Sequence, residues 1–118
     1  MHIEGPGKRV TIHVGESDRW EHRTLYEAIV EMLRGEGCAG ATVTRGIMGF
    51  GKGSRIHTSN ILVLSEDLPV TIVFADTPER VDAVMPRIDE MVVGGLVIVE
   101  DVHIHRYADA TGEAAAGR

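Results

Sequence analysis

The chain contains only one cysteine, Cys38, so no disulfide can form within it. A lone thiol favours a reducing, cytoplasmic setting, and its small-residue surroundings predict a buried structural thiol. Aromatic residues make up only 4% of the chain, so aliphatic side chains must fill the core. No apolar run approaches the ~18 residues of a membrane-spanning helix. The first nine residues also lack the apolar segment of a secretion signal.

The chain also does not carry a net positive charge. The 118 residues carry a formal charge of −6, with a pI near 5.4. A general nucleic-acid binder needs a basic surface to displace phosphate counterions, so we expect no nucleic-acid partner. The length suits one domain, and 43% apolar with 25% charged residues is ordinary for a globular protein.

Four segments carry strand patterns. Residues 8–15 alternate between apolar and polar side chains, which predicts a half-buried strand. A second strand is predicted over 40–48, and the strongly apolar segment 70–75 predicts a third, central strand. The last strand is predicted over 96–107, with a bulge at Glu100–Asp101.

Two helices are marked by start and stop signals. Thr24 and Glu27 have the spacing of a capping box, and apolar residues follow at helical spacing until Gly35 or Gly37 ends the helix. Residues 76–79 read Asp-Thr-Pro-Glu, which places a capping side chain before a proline in the first turn. A continuous apolar stripe then predicts the second helix.

The order β-α-β-β-α-β predicts an α+β fold of the ferredoxin-like kind, with two helices on one face of an antiparallel sheet. We expect a single domain over 1–107 and a disordered tail over 108–118. The helices leave the other sheet face open. That open face is predicted to carry Arg9, Thr11, His13, Thr42, Thr44, His103 and His105.

Glycines crowd the segment that follows the second predicted strand, at positions 46, 49, 51 and 53. Glycine lets backbone N–H groups approach a phosphate or the edge of a base. Gly46, Gly51 and Lys52 come close to the spacing of a P-loop. Gly53 stands where that motif needs a serine or threonine for Mg²⁺, and no helix follows, so NTPase chemistry is not expected.

Three segments together carry a family resemblance: residues 37–51 (GCAGATVTRGIMGFG), Leu68–Pro69 leading into 70–76, and Gly94-Gly95-Leu96. They resemble the PII-like proteins, and within these the branch known as domain of unknown function 190. The resemblance covers roughly residues 8–107. It implies a homotrimer whose sheets face inward, with ligand sites in the clefts between subunits.

In PII proteins those clefts take adenine nucleotides, and a long mobile loop reports the ligand to a partner protein. On that template the loop spans about 49–62, and the protein acts in signal transduction on a regulated target such as a membrane transporter. The turn 92–97 (VVGGLV) lacks the basic residues that PII proteins place against distal phosphates, so AMP, ADP and ATP all remain open. The implied ligand-binding residues are Gly46, Gly49, Phe50, Gly51, Gly94, Gly95 and Leu96, with Lys52, Arg55 and Arg106 on the phosphates.

The sequence also bears on two other classes of function, a metal-binding protein and an enzyme. His13, His103 and His105 on one sheet face could bind zinc or copper, as a trimeric metal-binding protein would. An enzyme is not expected, because no serine or cysteine stands in a recognisable nucleophile pattern and the carboxylates at strand ends read as caps. We therefore predict no catalytic residue. Trp20 and Tyr26 are predicted to pack over the first helix rather than to stack on a base.

Overall fold

The computed structural model describes residues 1–51, 57–58 and 67–109. Its elements in chain order are β1 (His2–Gly15), β2 (Arg19–Trp20), β3 (Arg23–Thr24), α1 (Leu25–Gly35), β4 (Thr42–Arg45), β5 (Met48–Gly49), β6 (His57–Thr58), β7 (Pro69–Asp76), α2 (Pro78–Met91) and β8 (Leu96–Ala108).

The main sheet has four strands in the order β4-β7-β1-β8, and every neighbouring pair is antiparallel. Both helices pack against β7, and α2 also contacts β1. This is the arrangement that the β-α-β-β-α-β order predicts, and it confirms the ferredoxin-like fold class. Neither helix within the described ranges is long and apolar enough to cross a membrane.

The hydrophobic core lies between the helices and one face of the sheet. Ile12 lies opposite Ile72 on one side and Val97 on the other, so apolar residues of three strands share that face. The alternation over 8–15 therefore buries the alternate residues of β1, as the sequence predicts. The buried helical residues are Leu25, Ala28, Ile29 and Leu33 in α1, and Val81, Val84, Ile88 and Met91 in α2.

The helix ends agree with the sequence in all but one detail. Thr77 caps α2, and its hydroxyl accepts the backbone N–H of Arg80 at 3.2 Å. Gly37, at φ +83°, follows the end of α1 in the left-handed conformation that favours glycine. The capping box was wrong at Thr24, which precedes α1 but makes no side-chain cap hydrogen bond. The N–H of Leu25 instead donates to the carbonyl of Asp18.

The outer strands differ from their predicted bounds. β1 begins at His2, because residues before the alternating segment pair with the end of β8. β8 runs without a bulge at Glu100, where the carboxylate accepts two hydrogen bonds from Arg9 across the strands, at 3.0 and 3.1 Å. These hydrogen bonds hold the pKa of Glu100 below its ordinary value. The register shifts instead between Ile3 and Gly5.

The segment predicted as one strand over 40–48 is divided in two. β4 ends at Arg45, and Met48–Gly49 pairs with His57–Thr58 as a separate two-stranded ribbon. Most of the segment predicted as a mobile loop, 49–62, lies outside the described residues. At the other end of the chain, β8 includes Ala108, and the rest of the predicted tail from 110 lies outside the described residues.

The open face of the sheet is mixed in polarity. Directly paired residues share a face, so Thr11 lies beside Ile98, and His13 lies beside Leu96 and Thr71. Thr42 and Thr44 are on this face through their pairing with β7. The placement of His103 was wrong, because it pairs with Pro6, on the opposite face from His13.

Candidate functional site

The two glycine segments implied as ligand sites lie at the same end of the sheet. Arg45 pairs with Val70, Val70 with Val14, and His13 with Leu96. Gly46 and Gly95 therefore flank the ends of two central strands. At about 4.8 Å between neighbouring strands, three spacings separate them by roughly 14 Å. The fold brings together residues that are almost fifty positions apart in the sequence.

The glycines of the first segment have two different roles. A Cβ atom on Gly46 or Gly49 would lie 2.8 or 2.9 Å from the Cγ of Pro69, so both are required by packing. The N–H of Gly46 also donates to the carbonyl of Pro69 at 2.7 Å. A Cβ on Gly51 would meet nothing within 4 Å. Among the described glycines of this segment, Gly51 is therefore the one with open space at its Cβ position.

Apolar side chains project from the same segment without cover. Ile47 is 76% exposed, Met48 is 63% exposed and Phe50 is 70% exposed. The rest of this segment, including Lys52 and Arg55, lies outside the described residues. Exposed apolar side chains grouped in this way are typical of surfaces that bind partners or ligands.

The turn between α2 and β8 holds the second glycine pair. A Cβ on Gly95 would lie 2.6 Å from the carbonyl oxygen of His13, so this glycine fixes the turn against the end of β1. Gly94 meets nothing within 4 Å. Its neighbour Val93 is 91% exposed, and Leu96 is 54% exposed. Gly94, like Gly51, leaves its backbone open.

Three acidic side chains, Glu16, Asp18 and Asp67, lie at this end of the sheet. Asp18 accepts the N–H of Gly15 at 2.9 Å, and Asp67 accepts the N–H of Ser17 at 2.6 Å. Arg45 is paired with Glu16 at 2.9 Å. The three carboxylates at this end disfavour a ligand with several phosphates.

Arg106 does not join this end within one protomer. It lies ten residues along β8 from Leu96, which at about 3.3 Å per residue is roughly 33 Å. It lies at the register shift, between Ile104 and Tyr107, at the far end of the sheet. Arg106 can contribute to a site at the glycine segments only from another protomer.

The three-histidine face is not formed. His103 is seven residues from Leu96, the residue beside His13, and it lies on the other face of the sheet. Among the residues that the structure describes, no group of three histidine, cysteine, aspartate or glutamate side chains is placed to hold a metal ion. The metal-binding alternative therefore loses the constellation on which it was based.

A groove that the sequence did not indicate lies beside the α2–β8 turn. It has a volume of about 270 Å³ and is lined by Asp18, Arg19, Trp20, Leu25, Met91, Val93 and Gly94. The β2–β3 hairpin contributes one wall, and the end of α2 with its turn contributes the other. Trp20 packs against the core, as predicted, and also borders the groove. No local pattern signals this site, because its walls are seventy positions apart.

Residues 7–104 match the family DUF190, described as "Uncharacterized ACR". The UPF0166 protein MJ1524 of Methanocaldococcus jannaschii is 35% identical over 100 residues, which are 84% of this chain and 92% of that protein.

The fold is also similar to that of solved PII-like proteins. CPII from Thiomonas intermedia K12, bound to ADP and bicarbonate, has a TM-score of 0.56 and 20% identity, covering 84% of this chain and 88% of that one. GlnK of B. subtilis, in complex with ATP, has a TM-score of 0.55 and 14% identity. The match covers 85% of this chain and 84% of that one. Identities this low establish the shared fold alone. With the match over residues 7–104 and the archaeal relative, the predicted resemblance is confirmed, and the chain belongs to the DUF190 family.

Proposed function

We propose that this protein is a PII-like sensor rather than an enzyme: a cytoplasmic homotrimer that binds an adenine nucleotide between protomers. The observation that carries the proposal is that both glycine segments lie at one end of the sheet, with open space at the Cβ positions of Gly51 and Gly94. Backbone N–H groups without side chains in front of them can approach a phosphate or the edge of a base. CPII solved with ADP and GlnK solved with ATP, on the same fold, support this ligand class.

The open sheet face supports the trimer. It carries Leu96 at 54% and Ile98 at 38% exposure beside small polar residues, a composition suited to burial against further copies. A ring of three brings the β8 edge of one protomer to the β4 edge of the next, since the two edges of the sheet differ and a closed ring joins unlike surfaces.

The ligand then contacts Gly46, Gly49, Phe50 and Gly51 on one segment and Gly94, Gly95 and Leu96 on the other. Lys52 and Arg55 extend the first segment toward the phosphates, and a neighbouring protomer supplies Arg106. Glu16, Asp18 and Asp67 at this end oppose negative charge, which favours AMP or ADP over ATP.

Ligand binding orders the loop over 49–62, and the ordered loop fits or blocks a target protein such as a membrane transporter. Shifting a loop from mostly free to mostly ordered requires a differential affinity of about 5 kcal/mol. A few charge-assisted hydrogen bonds can supply this, at about 1.5–3 kcal/mol each.

Isothermal titration calorimetry with AMP, ADP, ATP and cyclic AMP tests the proposal, together with a mass measurement expected at three times 12.8 kDa. The sharpest variant is Gly51→Leu, which fills open space at the site and should abolish binding without unfolding the chain. Gly40→Leu is the matched control, because Gly40 also has open space around its Cβ position but lies away from the site. Absence of heat with every nucleotide at millimolar concentration, or equal loss in both variants, contradicts the proposal.

A further inference from the structure

We propose that the groove beside Trp20 is a second binding site, separate from the glycine segment 46–51, and that it takes a flat nitrogen heterocycle of the purine type. The site adds to the proposed nucleotide cleft and does not depend on it. Gly94 and Asp18, both at the rim, border both sites.

The size of the groove sets the size of its ligand. At about 270 Å³ it is slightly smaller than the range of about 300–1,000 Å³ that holds drug-sized molecules. One ring system fits such a volume. The opening lies on the surface of the protomer, so a small ligand can enter without unfolding.

The lining of the groove is apolar where a ring would lie. Leu25 and Met91 are 4% and 3% exposed and form part of the core beneath it. Trp20 is half-buried and offers an indole, the side chain best suited to contact another aromatic ring. Val93, at 91% exposure, has no cover within the described part of the protomer.

The rim of the groove carries one anion and one cation on adjacent residues. The carboxylate of Asp18 accepts the N–H of Gly15, and a carboxylate offers about four acceptor positions, so further capacity remains. Arg19 donates from Nη2 to the carbonyl of His22 at 2.8 Å, which uses one of its five N–H groups. An acceptor beside a donor above an apolar floor complements the edge of a nitrogen heterocycle, which presents both. A plain phenyl or aliphatic side chain leaves both groups unused.

The hairpin that carries this rim is held in a defined shape. Arg19 pairs with Thr24 and Trp20 pairs with Arg23, and the turn between them places Glu21 at φ +56°. The main-chain carbonyl of Asp18 also accepts the N–H of Leu25 at 2.8 Å. Trp20 and the rim are thus positioned before any ligand arrives, which limits the entropy lost on binding.

The test uses the fluorescence of Trp20, the only tryptophan in the chain. Adenosine titrated into the full-length protein should change the emission in a saturable way, whereas ribose 5-phosphate, which lacks the ring, should not. Calorimetry under the same conditions should give the same midpoint.

Two matched pairs of variants localise the effect. Val93→Ser removes a wall of the groove at little cost in folding, whereas Val99→Ser changes an exposed valine outside it. Arg19→Gln removes the rim cation, whereas Arg23→Gln removes a neighbouring cation, paired with Glu31, that does not line the groove. We expect the affinity for adenosine to fall about tenfold in Val93→Ser and in Arg19→Gln. It should stay within about twofold of the unmodified protein in the controls Val99→Ser and Arg23→Gln.

Three outcomes overturn the proposal. The first is no change in emission and no heat with adenosine at millimolar concentration. In the second, adenosine gives heat, but the Trp20 emission does not change and Val93→Ser binds adenosine with unchanged affinity. The ring then binds outside the groove, and the proposal of a nucleotide sensor is not affected. In the third, the emission depends on protein concentration and not on adenosine, which means that a second copy of the chain fills the groove.

Discussion

The carboxylate of Asp76 accepts the backbone N–H of Ala39 at 2.8 Å, joining the loop after α1 to the start of α2. The other carboxylate oxygen accepts the N–H of Thr77 at 2.7 Å. Asp76 is only 2% exposed, the one charged residue buried to this degree in the described part of the chain. It therefore satisfies two backbone donors that water reaches poorly.

Asp76→Ala should lower the free energy of unfolding by about 2–3 kcal/mol, because two backbone N–H groups lose a charged acceptor. Urea denaturation followed by circular dichroism measures the loss. Asp82→Ala is the control, because that carboxylate is 67% exposed. It makes a surface ion pair with the Lys8 amine at 3.5 Å, and such pairs contribute little to stability. The control should change stability by no more than about 0.5 kcal/mol. A similar small change in both variants would show that Asp76 does not tie these segments together.

The adjacent glycines of the α2–β8 turn should respond differently to the same substitution. Gly95→Ala places a methyl group 2.6 Å from the carbonyl oxygen of His13, whereas Gly94→Ala places one in open space. We expect Gly95→Ala to cost about 1–3 kcal/mol through displaced backbone. Gly94→Ala should be neutral or slightly stabilising. Thermal unfolding of both variants checks this, and a reversed order would mean that the turn is not fixed against β1.

The open face of the sheet gives a matched test of the proposed trimer. Ile98 is 38% exposed on the open face, whereas Ala83 is exposed on α2, which packs on the other face. Ile98→Glu should therefore shift the mass toward the single chain of 12.8 kDa. Ala83→Glu should leave the assembly intact. Light scattering on both proteins decides this, and an unchanged mass in Ile98→Glu would remove the open face from the interface.

The thiol of Cys38 should react slowly with alkylating agents. Burial raises its pKa above the ordinary value, and the nearby carboxylate of Asp76 raises it further. The folded state thus disfavours the thiolate. The resulting stabilisation is present below the pKa of the unfolded chain and is lost as pH rises through the folded pKa.

Iodoacetamide alkylation measured against pH should show its inflection at higher pH in the native protein than in the urea-unfolded protein. An inflection at lower pH in the native protein would contradict the assignment. The sequence predicted a buried structural thiol. Cys38 is instead half-buried, because it lies in the loop after α1, at the edge of the core.

The sequence predicted the candidate site only in part. Glycine clustering drew attention to Gly46 and Gly49, but contact with Pro69 explains both glycines without a ligand. The open positions, Gly51 and Gly94, could not be separated from them without knowing which atoms surround each glycine. Asp67 was also missed, since it reaches this end only through the pairing of β7 with β1.

Local patterns in the sequence by themselves determined the order of the two helices and the four main strands, and the faces that β1 and the helices bury. They could do so because alternation, helical spacing and caps depend on residues within a few positions of each other. The register between β1 and β8 was decided only in the tertiary structure, and with it the separation of His103 from His13. The meeting of Trp20 with Val93 was decided in the same way. Hydrogen-bond register and packing join segments that are distant in the chain, and no short pattern in either segment encodes its partner.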